Sequence, residues 1–224
     1  MLKLSIATRK HKGDMGLSNR EWADIHMSRY ITSTNNHQMN LIKYIKSDTI
    51  VYNEYEFILL LNNINDINFS NSLLTYACCC YGKLDHLIYL ISRNAFVTRK
   101  ALEIAIMQGY VDIVEYVCHA IFVAGEIRNR LHLIKELNSN DSKKYAKLVS
   151  EIKEYEKYNI NKKFAFFNIS TGLLRLAIKY DNIEILKILI DHSENVNTKL
   201  RNIMIYHKHI ISDSMYAELE QLLS

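Results

Sequence analysis

Proline is absent from the 224 residues, and only six are glycine. All-β folds lean on glycine and proline for their turns, so this scarcity points to helices joined by short polar connections. Charge of one sign is scarce as well: 28 Lys and Arg stand against 24 Asp and Glu, a net +4 at pH 7. A nucleic-acid binder is expected to carry a dominant basic face, which so small an excess does not announce. Long apolar runs are missing too. A stretch such as residues 57–61 falls far short of the roughly 20 residues that a membrane span needs. Residues 1–12 lack the apolar core of a secretory signal and carry Lys3, Arg9, Lys10 and Lys12, read as a loose basic terminus. With Cys78, Cys79 and Cys80 adjacent and Cys118 alone, the four cysteines offer no disulfide framework. An intracellular, cytoplasmic setting is therefore expected, in which the sequons at Asn68 and Asn168 are incidental.

What is present is the balance of a folded protein, 49% hydrophobic and 23% charged, and a repeat. Three segments align: Gly82-Lys83-Leu84-Asp85-His86-Leu87, Gly109-Tyr110-Val111-Asp112-Ile113-Val114 and Asp181-Asn182-Ile183-Glu184-Ile185-Leu186. The first position must end one helix and reverse the chain, a left-handed conformation that glycine adopts freely and Asp tolerably. The acid three places on (Asp85, Asp112, Glu184) falls in the first turn of the next helix, where it meets the positive end of the dipole. Apolar residues then recur at helical spacing, as in Val111, Val114 and Val117. A shorter helix precedes each corner, with Ala105 and Ala177 four residues before it to let helices approach closely. The first copy has one extra residue, so Cys78 rather than Ala77 is expected in the alanine's place.

These segments resemble ankyrin repeats over residues 74–91, 101–118 and 173–197. The departures are clear: no copy has the Thr-Pro-Leu-His opening, and Gly82 to Gly109 spans 27 residues rather than the usual 33. The turn between repeats is accordingly expected to shrink to residues 92–98. Divergent, hairpin-poor copies in a chain rich in Asn and Ile look like the ankyrin proteins of large DNA viruses. The resemblance implies an all-α fold, a short ankyrin-like helical solenoid. It continues into Glu194-Asn195-Val196-Asn197, read as the end of an ankyrin hairpin. Residues 39–45 fit the second-helix pattern of a degenerate earlier copy.

The step from Asp112 to Glu184 is 72 residues, about 45 more than the first spacing. The extra segment predicts an inserted antiparallel helical hairpin, with Ile127, Leu131, Ile134 and Leu137 on one stripe and Tyr145, Leu148, Ile152 and Tyr155 on the other. Asn138, Ser139, Asn140 and Asp141 read as the turn between them. The expected organisation is an N-terminal extension with a capping helix (1–35), ankyrin-like repeats with a degenerate first copy (36–118), the charged hairpin (119–169), a further repeat (170–200) and a C-terminal capping helix (201–224). Ser18-Asn19-Arg20-Glu21 is a capping-box signature. Its helix is expected to set Trp22, Ile25 and Arg29 on one side, with Trp22 plugging the open end of the stack rather than standing exposed as an anchor. Residues 213–223, with Met215, Leu219 and Leu222, make a last amphipathic helix.

Catalytic chemistry finds no foothold. Successive helical residues point about 100° apart, so Cys78, Cys79 and Cys80 cannot converge on one metal ion, and two core residues with one edge residue are expected. His207 and His209 lack a third ligand. No phosphate loop, zinc-binding helix or nucleophile elbow occurs. No enzyme activity, cofactor, metal, membrane or small-molecule substrate is expected.

A stacked solenoid offers an extended face without an enclosed pocket, which suits a protein partner. In ankyrin proteins that face uses residues just before the turn. The resemblance carries this role onto Tyr81, Met107, Gln108, Lys179 and Tyr180, and in the viral case implies a host factor or ubiquitin-ligase component as partner, though no F-box-like segment follows. The alternative is a nucleic-acid-binding helical protein. Residues 119–168 hold ten Lys and Arg against six Asp and Glu, and Lys143, Lys144, Lys147, Lys162 and Lys163 stand among Tyr145, Tyr158 and Phe164. Interspersed acids favour a solvated face over a basic docking arm.

Overall fold

The computed structural model describes residues 17–28, 34–47, 53–136, 141–156 and 169–223. Every regular element among them is helical: α1 (Asn19–Ser28), α2 (Asn36–Lys46), α3 (Glu54–Leu61), α4 (Phe69–Tyr81), α5 (Leu84–Ser92), α6 (Arg99–Gln108), α7 (Val111–Glu136), α8 (Ser142–Glu156), α9 (Thr171–Lys179), α10 (Ile183–Asp191), α11 (Val196–Tyr206) and α12 (Asp213–Leu223), with a 3-10 turn at Lys208–Ile210. Polar side chains start them by satisfying free N–H groups. Ser18 and Glu21 form the expected box: the Ser18 N–H donates to the Glu21 carboxylate at 2.9 Å, and the Glu21 N–H to the Ser18 hydroxyl at 3.3 Å. Asn35 and Gln38 repeat it on α2. Single caps come from Asn53, Thr98 and Asn182.

The three corners are left-handed, with φ of +68° at Gly82, +77° at Gly109 and +53° at Asp181. Past each corner an N–H reaches back to close the helix end. Lys83 donates to the Cys78 carbonyl at 3.0 Å, Tyr110 to Ala105 at 3.1 Å and Asn182 to Ala177 at 3.0 Å. Cys78 therefore stands where Ala105 and Ala177 stand, and all three are fully buried. Asp85, Asp112 and Glu184 lie in the first turns of α5, α7 and α10.

The first helices adjoin in succession: α2 packs on α4, α4 on α6, α6 on α9 and α9 on α11. Each is followed by a second helix (α3, α5, α7, α10 and α12). Among these, α7 packs on α10, Phe57 of α3 meets Tyr89 of α5 with ring centroids 5.7 Å apart, and Lys187 of α10 pairs with Glu218 of α12. The corners repeat one contact. The residue just before each second helix touches the preceding corner. Lys83 donates its ammonium to the Ser47 carbonyl at 3.1 Å. The Tyr110 ring lies where a Cβ on Gly82 would meet it at 2.7 Å, and the Asn182 amide lies 3.4 Å from the same construction on Gly109. The Ser212 hydroxyl donates to Asp181 Oδ1 at 2.5 Å.

Several expectations from sequence are corrected. Residues 39–45 belong to α2, which packs on the first helix α4 and so takes a first-helix place; a stripe of Leu41, Ile42 and Ile45 fits either role. Residues 196–206 are α11 rather than a hairpin end, because Asn195, at φ +52°, turns the chain straight into a helix. That helix crosses the boundary drawn at residue 200, and with α12 it makes a fifth helix pair. The inserted hairpin does not begin at a break: α7 runs 26 residues from the body into the arm. Leu137, Asn138, Ser139 and Asn140 lie outside the described residues, and of Tyr155 only the helical backbone is described. Cys80 is no edge residue, because α4 is enclosed by α1, α2, α5 and α6. Trp22 is buried but plugs no open end, since α1 lies on α4, which has α2 on one side and α6 on the other. The buried face of α1 is Trp22, Ala23 and Met27, leaving Ile25 exposed; Arg29 is outside the described residues.

Candidate functional site

The five residues expected to meet a partner stand at the ends of adjoining helices: Tyr81 on α4, Met107 and Gln108 on α6, Lys179 and Tyr180 at the end of α9. The first half of this row is already covered. The Tyr81 hydroxyl donates to Asp24 of α1 at 2.8 Å. The Gln108 amide donates to the Asn19 carbonyl at 3.1 Å, and the residue is only 5% exposed. Tyr81 and Gln108 are thus contacts of the chain's own α1, not free surface, which corrects their reading as accessible. Nothing in the spacing of the repeats could disclose this, because α1 lies outside them. Met107 is half-buried against the core, and Lys179 and Tyr180 are half-buried.

Electrostatics under α1 follow from its burial. Asp24 would be raised by desolvation alone, but hydrogen bonds from Lys46 (2.8 Å) and Tyr81 hold it below the usual carboxylate range. Burial, then the Asp24 carboxylate, pushes the Tyr81 phenol upward. Arg20 donates to the Lys46 carbonyl at 3.0 Å, so α1 also grips the end of α2.

The residues weighed for chemistry are placed as follows. Cys78, Cys79, Cys80 and Cys118 are buried, and burial raises every thiol, that of Cys118 to about 12. A thiol so raised holds no nucleophilic thiolate at neutral pH. His207 and His209 have ring centroids 6.3 Å apart, and His207 Nε2 lies 3.4 Å from the Arg175 guanidinium, a poor neighbour for a metal cation. Asn68 has both ends of its amide engaged, accepting from the Phe96 N–H at 2.7 Å and donating to the Asn94 carbonyl at 3.3 Å. Those bonds pin the 93–98 connector.

For the nucleic-acid alternative, Lys143, Lys144, Tyr145 and Lys147 are exposed on the opening turns of α8. Tyr158, Lys162, Lys163 and Phe164 lie outside the described residues. Sequence reasoning missed Arg201, Ile205 and Tyr206 of α11. The signal was there: Leu174 and Ala177, both buried, recur 26 residues on as the buried Leu200 and Ile203, but no glycine corner marks the copy. Comparison with protein-family models, with curated proteins and with solved structures finds no match for this chain.

Proposed function

We propose that this chain is a non-catalytic protein-binding module, a short ankyrin-like solenoid that takes a protein partner along its row of first-helix ends. The observation that carries this is the repeated corner contact, in which Lys83, Tyr110, Asn182 and Ser212 each touch the corner before. A contact repeated in register is what translation of one unit along a stack produces, and such stacks present extended surfaces rather than pockets. The resemblance to viral ankyrin proteins extends the proposal to a host protein as partner and the host cytoplasm as the place of action.

The test is affinity purification with mass spectrometry, comparing the chain with a Met107→Glu/Tyr180→Glu variant and a milder Lys179→Glu/Tyr180→Glu variant. Loss of the same captured protein in both, with the melting temperature of the Lys179→Glu/Tyr180→Glu variant unchanged, supports the reading. Capture that persists in both removes this row as the site. The nucleic-acid reading rests on the exposed Lys143, Lys144, Lys147 and Tyr145. It requires retention on heparin or RNA that falls steeply with salt, and salt-insensitive retention ends it.

A further inference from the structure

The row changes character along its length. Equivalent positions are Tyr76, Cys80 and Tyr81 on α4, then Glu103, Met107 and Gln108 on α6. Tyr76, Cys80 and Gln108 are buried, and Tyr81, Glu103 and Met107 are half-buried. The same positions on α9 are Arg175, Lys179 and Tyr180, and on α11 they are Arg201, Ile205 and Tyr206. There Arg175 and Arg201 are exposed, Ile205 is 69% exposed and Tyr206 is 71% exposed. The covered half thus carries one charge, Glu103, paired with Arg99, and the open half is cationic and aromatic.

α1 shows what the row accepts. It is a ten-residue amphipathic helix that packs on α4 and buries Trp22, Ala23 and Met27. Its Asp24 carboxylate receives the Tyr81 hydroxyl and the Lys46 ammonium, both at 2.8 Å. The open half offers the same two donor types, the phenol of Tyr206 and cations at Arg175, Lys179 and Arg201, beside an exposed aliphatic side chain. Nearby acids are already engaged: Asp181 accepts from Ser212, and Glu218 pairs with Lys187. Exposed Tyr and Arg around an apolar centre is the composition of interface hot spots.

We infer that the open half of the row, centred on Arg175, Arg201, Ile205 and Tyr206, binds an acidic amphipathic helix of a protein partner, as α1 covers the other half. This rests on the protein-binding reading above and names the chemistry of its partner. Charge sets this partner apart from the chain's own two longest remaining segments. Residues 1–16 carry Lys3, Arg9, Lys10 and Lys12 against Asp14, and residues 157–168 carry Lys157, Lys162 and Lys163 without an acid, so both would meet like charge. A phosphate backbone would satisfy the cations but leave Ile205 without a partner, whereas a helix supplies carboxylates and an apolar stripe together.

The experiment measures binding of the full chain, by fluorescence anisotropy, to an 18-residue (about five turns) Glu/Leu amphipathic peptide and to a Lys/Leu peptide with the same apolar face. The Glu/Leu peptide should bind and the Lys/Leu peptide should not. Arg175→Glu/Arg201→Glu and Ile205→Asp/Tyr206→Ser should each weaken binding at least about tenfold, the loss expected of a hot spot. Melting temperatures should be unchanged, because all four side chains are exposed. Equal affinity for the two peptides, binding indifferent to both double variants, preferential displacement by a poly(U) strand, or self-association through this face overturns the inference. If the Met107→Glu/Tyr180→Glu variant loses its captured protein while the peptide binds the Arg175→Glu/Arg201→Glu variant unchanged, the inference falls and the protein-binding reading stands. If the peptide results hold while lysate capture survives at Met107 and Tyr180, the reading of the whole row falls and the face of Arg175, Arg201, Ile205 and Tyr206 alone is the site.

Discussion

α4 and the α7–α8 arm are built from the same kind of helix, yet they are held in opposite ways. α4 is enclosed by α1, α2, α5 and α6, so Leu73, Leu74, Ala77, Cys78, Cys79 and Cys80 are all buried whichever side they face. The arm has one seam. Ile127 is buried and Leu131 and Ile134 are partly so, opposite Leu148 and Ile152 of α8. Its charged clasp is Arg130, which reaches Glu126 on its own helix and Glu151 across the seam, the latter at 2.9 Å. Periodicity makes both segments helices; enclosure decides how much each contributes to stability.

The largest effect that separates them is cavity formation. Leu74→Ala should cost about 3 kcal/mol, within the range for a fully buried leucine. Leu148→Ala should cost about 2 kcal/mol, the transfer of its lost carbons with little added for a cavity at a single seam. Urea midpoints with unchanged slope measure both, and equal losses would mean that the arm is as integral as α4.

Next comes the corner. Gly82→Ala combines a left-handed backbone with a Cβ 2.7 Å from the Tyr110 ring, and should cost about 2 kcal/mol. Gly109→Ala, whose Cβ would lie 3.4 Å from Asn182, meets only the backbone penalty of about 1 kcal/mol. Gly82→Ala/Tyr110→Ala should recover part of the first loss in a double-mutant cycle. Strict additivity there would dissolve the corner contact.

Below the Gly82 corner in size comes a pH response of the enclosed body. His86 is buried with its ring against the edges of Tyr44 and Phe57, at centroid distances of 5.7 and 4.7 Å. Burial first, and Lys83 second, push its imidazole down to about 4. The folded state therefore binds fewer protons than the unfolded chain between that value and the ordinary 6.5. Stability is complete above the unfolded value and is lost as pH falls toward 4, by about 1–2 kcal/mol at pH 5. In His86→Phe the fall between pH 7.5 and 5.0 should be smaller by that amount. An identical fall in the variant would place the charge uptake elsewhere.

The corners were legible in the sequence because backbone chemistry singles out glycine: Gly82 and Gly109 need a left-handed turn that few residues take, and Asp181 is among the next best. The caps at Ser18 and the stripe of Ile127, Leu131 and Ile134 were legible for similar reasons of local geometry. What stayed hidden was set by contacts between distant segments. Leu41, Ile42 and Ile45 form a stripe that suits a first or a second helix, and only packing on α4 decides between them. α11 escaped notice because its corner is a 3-10 turn at Lys208–Ile210 in place of a glycine. The candidate surface was half visible: the positions of Lys179 and Tyr180 followed from repeat spacing, while the capture of Tyr81 and Gln108 by α1 depends on bonds 57 and 89 residues apart in the chain.

The unbroken run of α7 from Val111 to Glu136 gives the arm the mechanics of a cantilever. Its root, Ile113, Val114 and Val117, is clamped in the packed body, where α7 lies on α10. A rod has no hinge to absorb a load, so a pull on α8 becomes a torque on the α7–α10 contact.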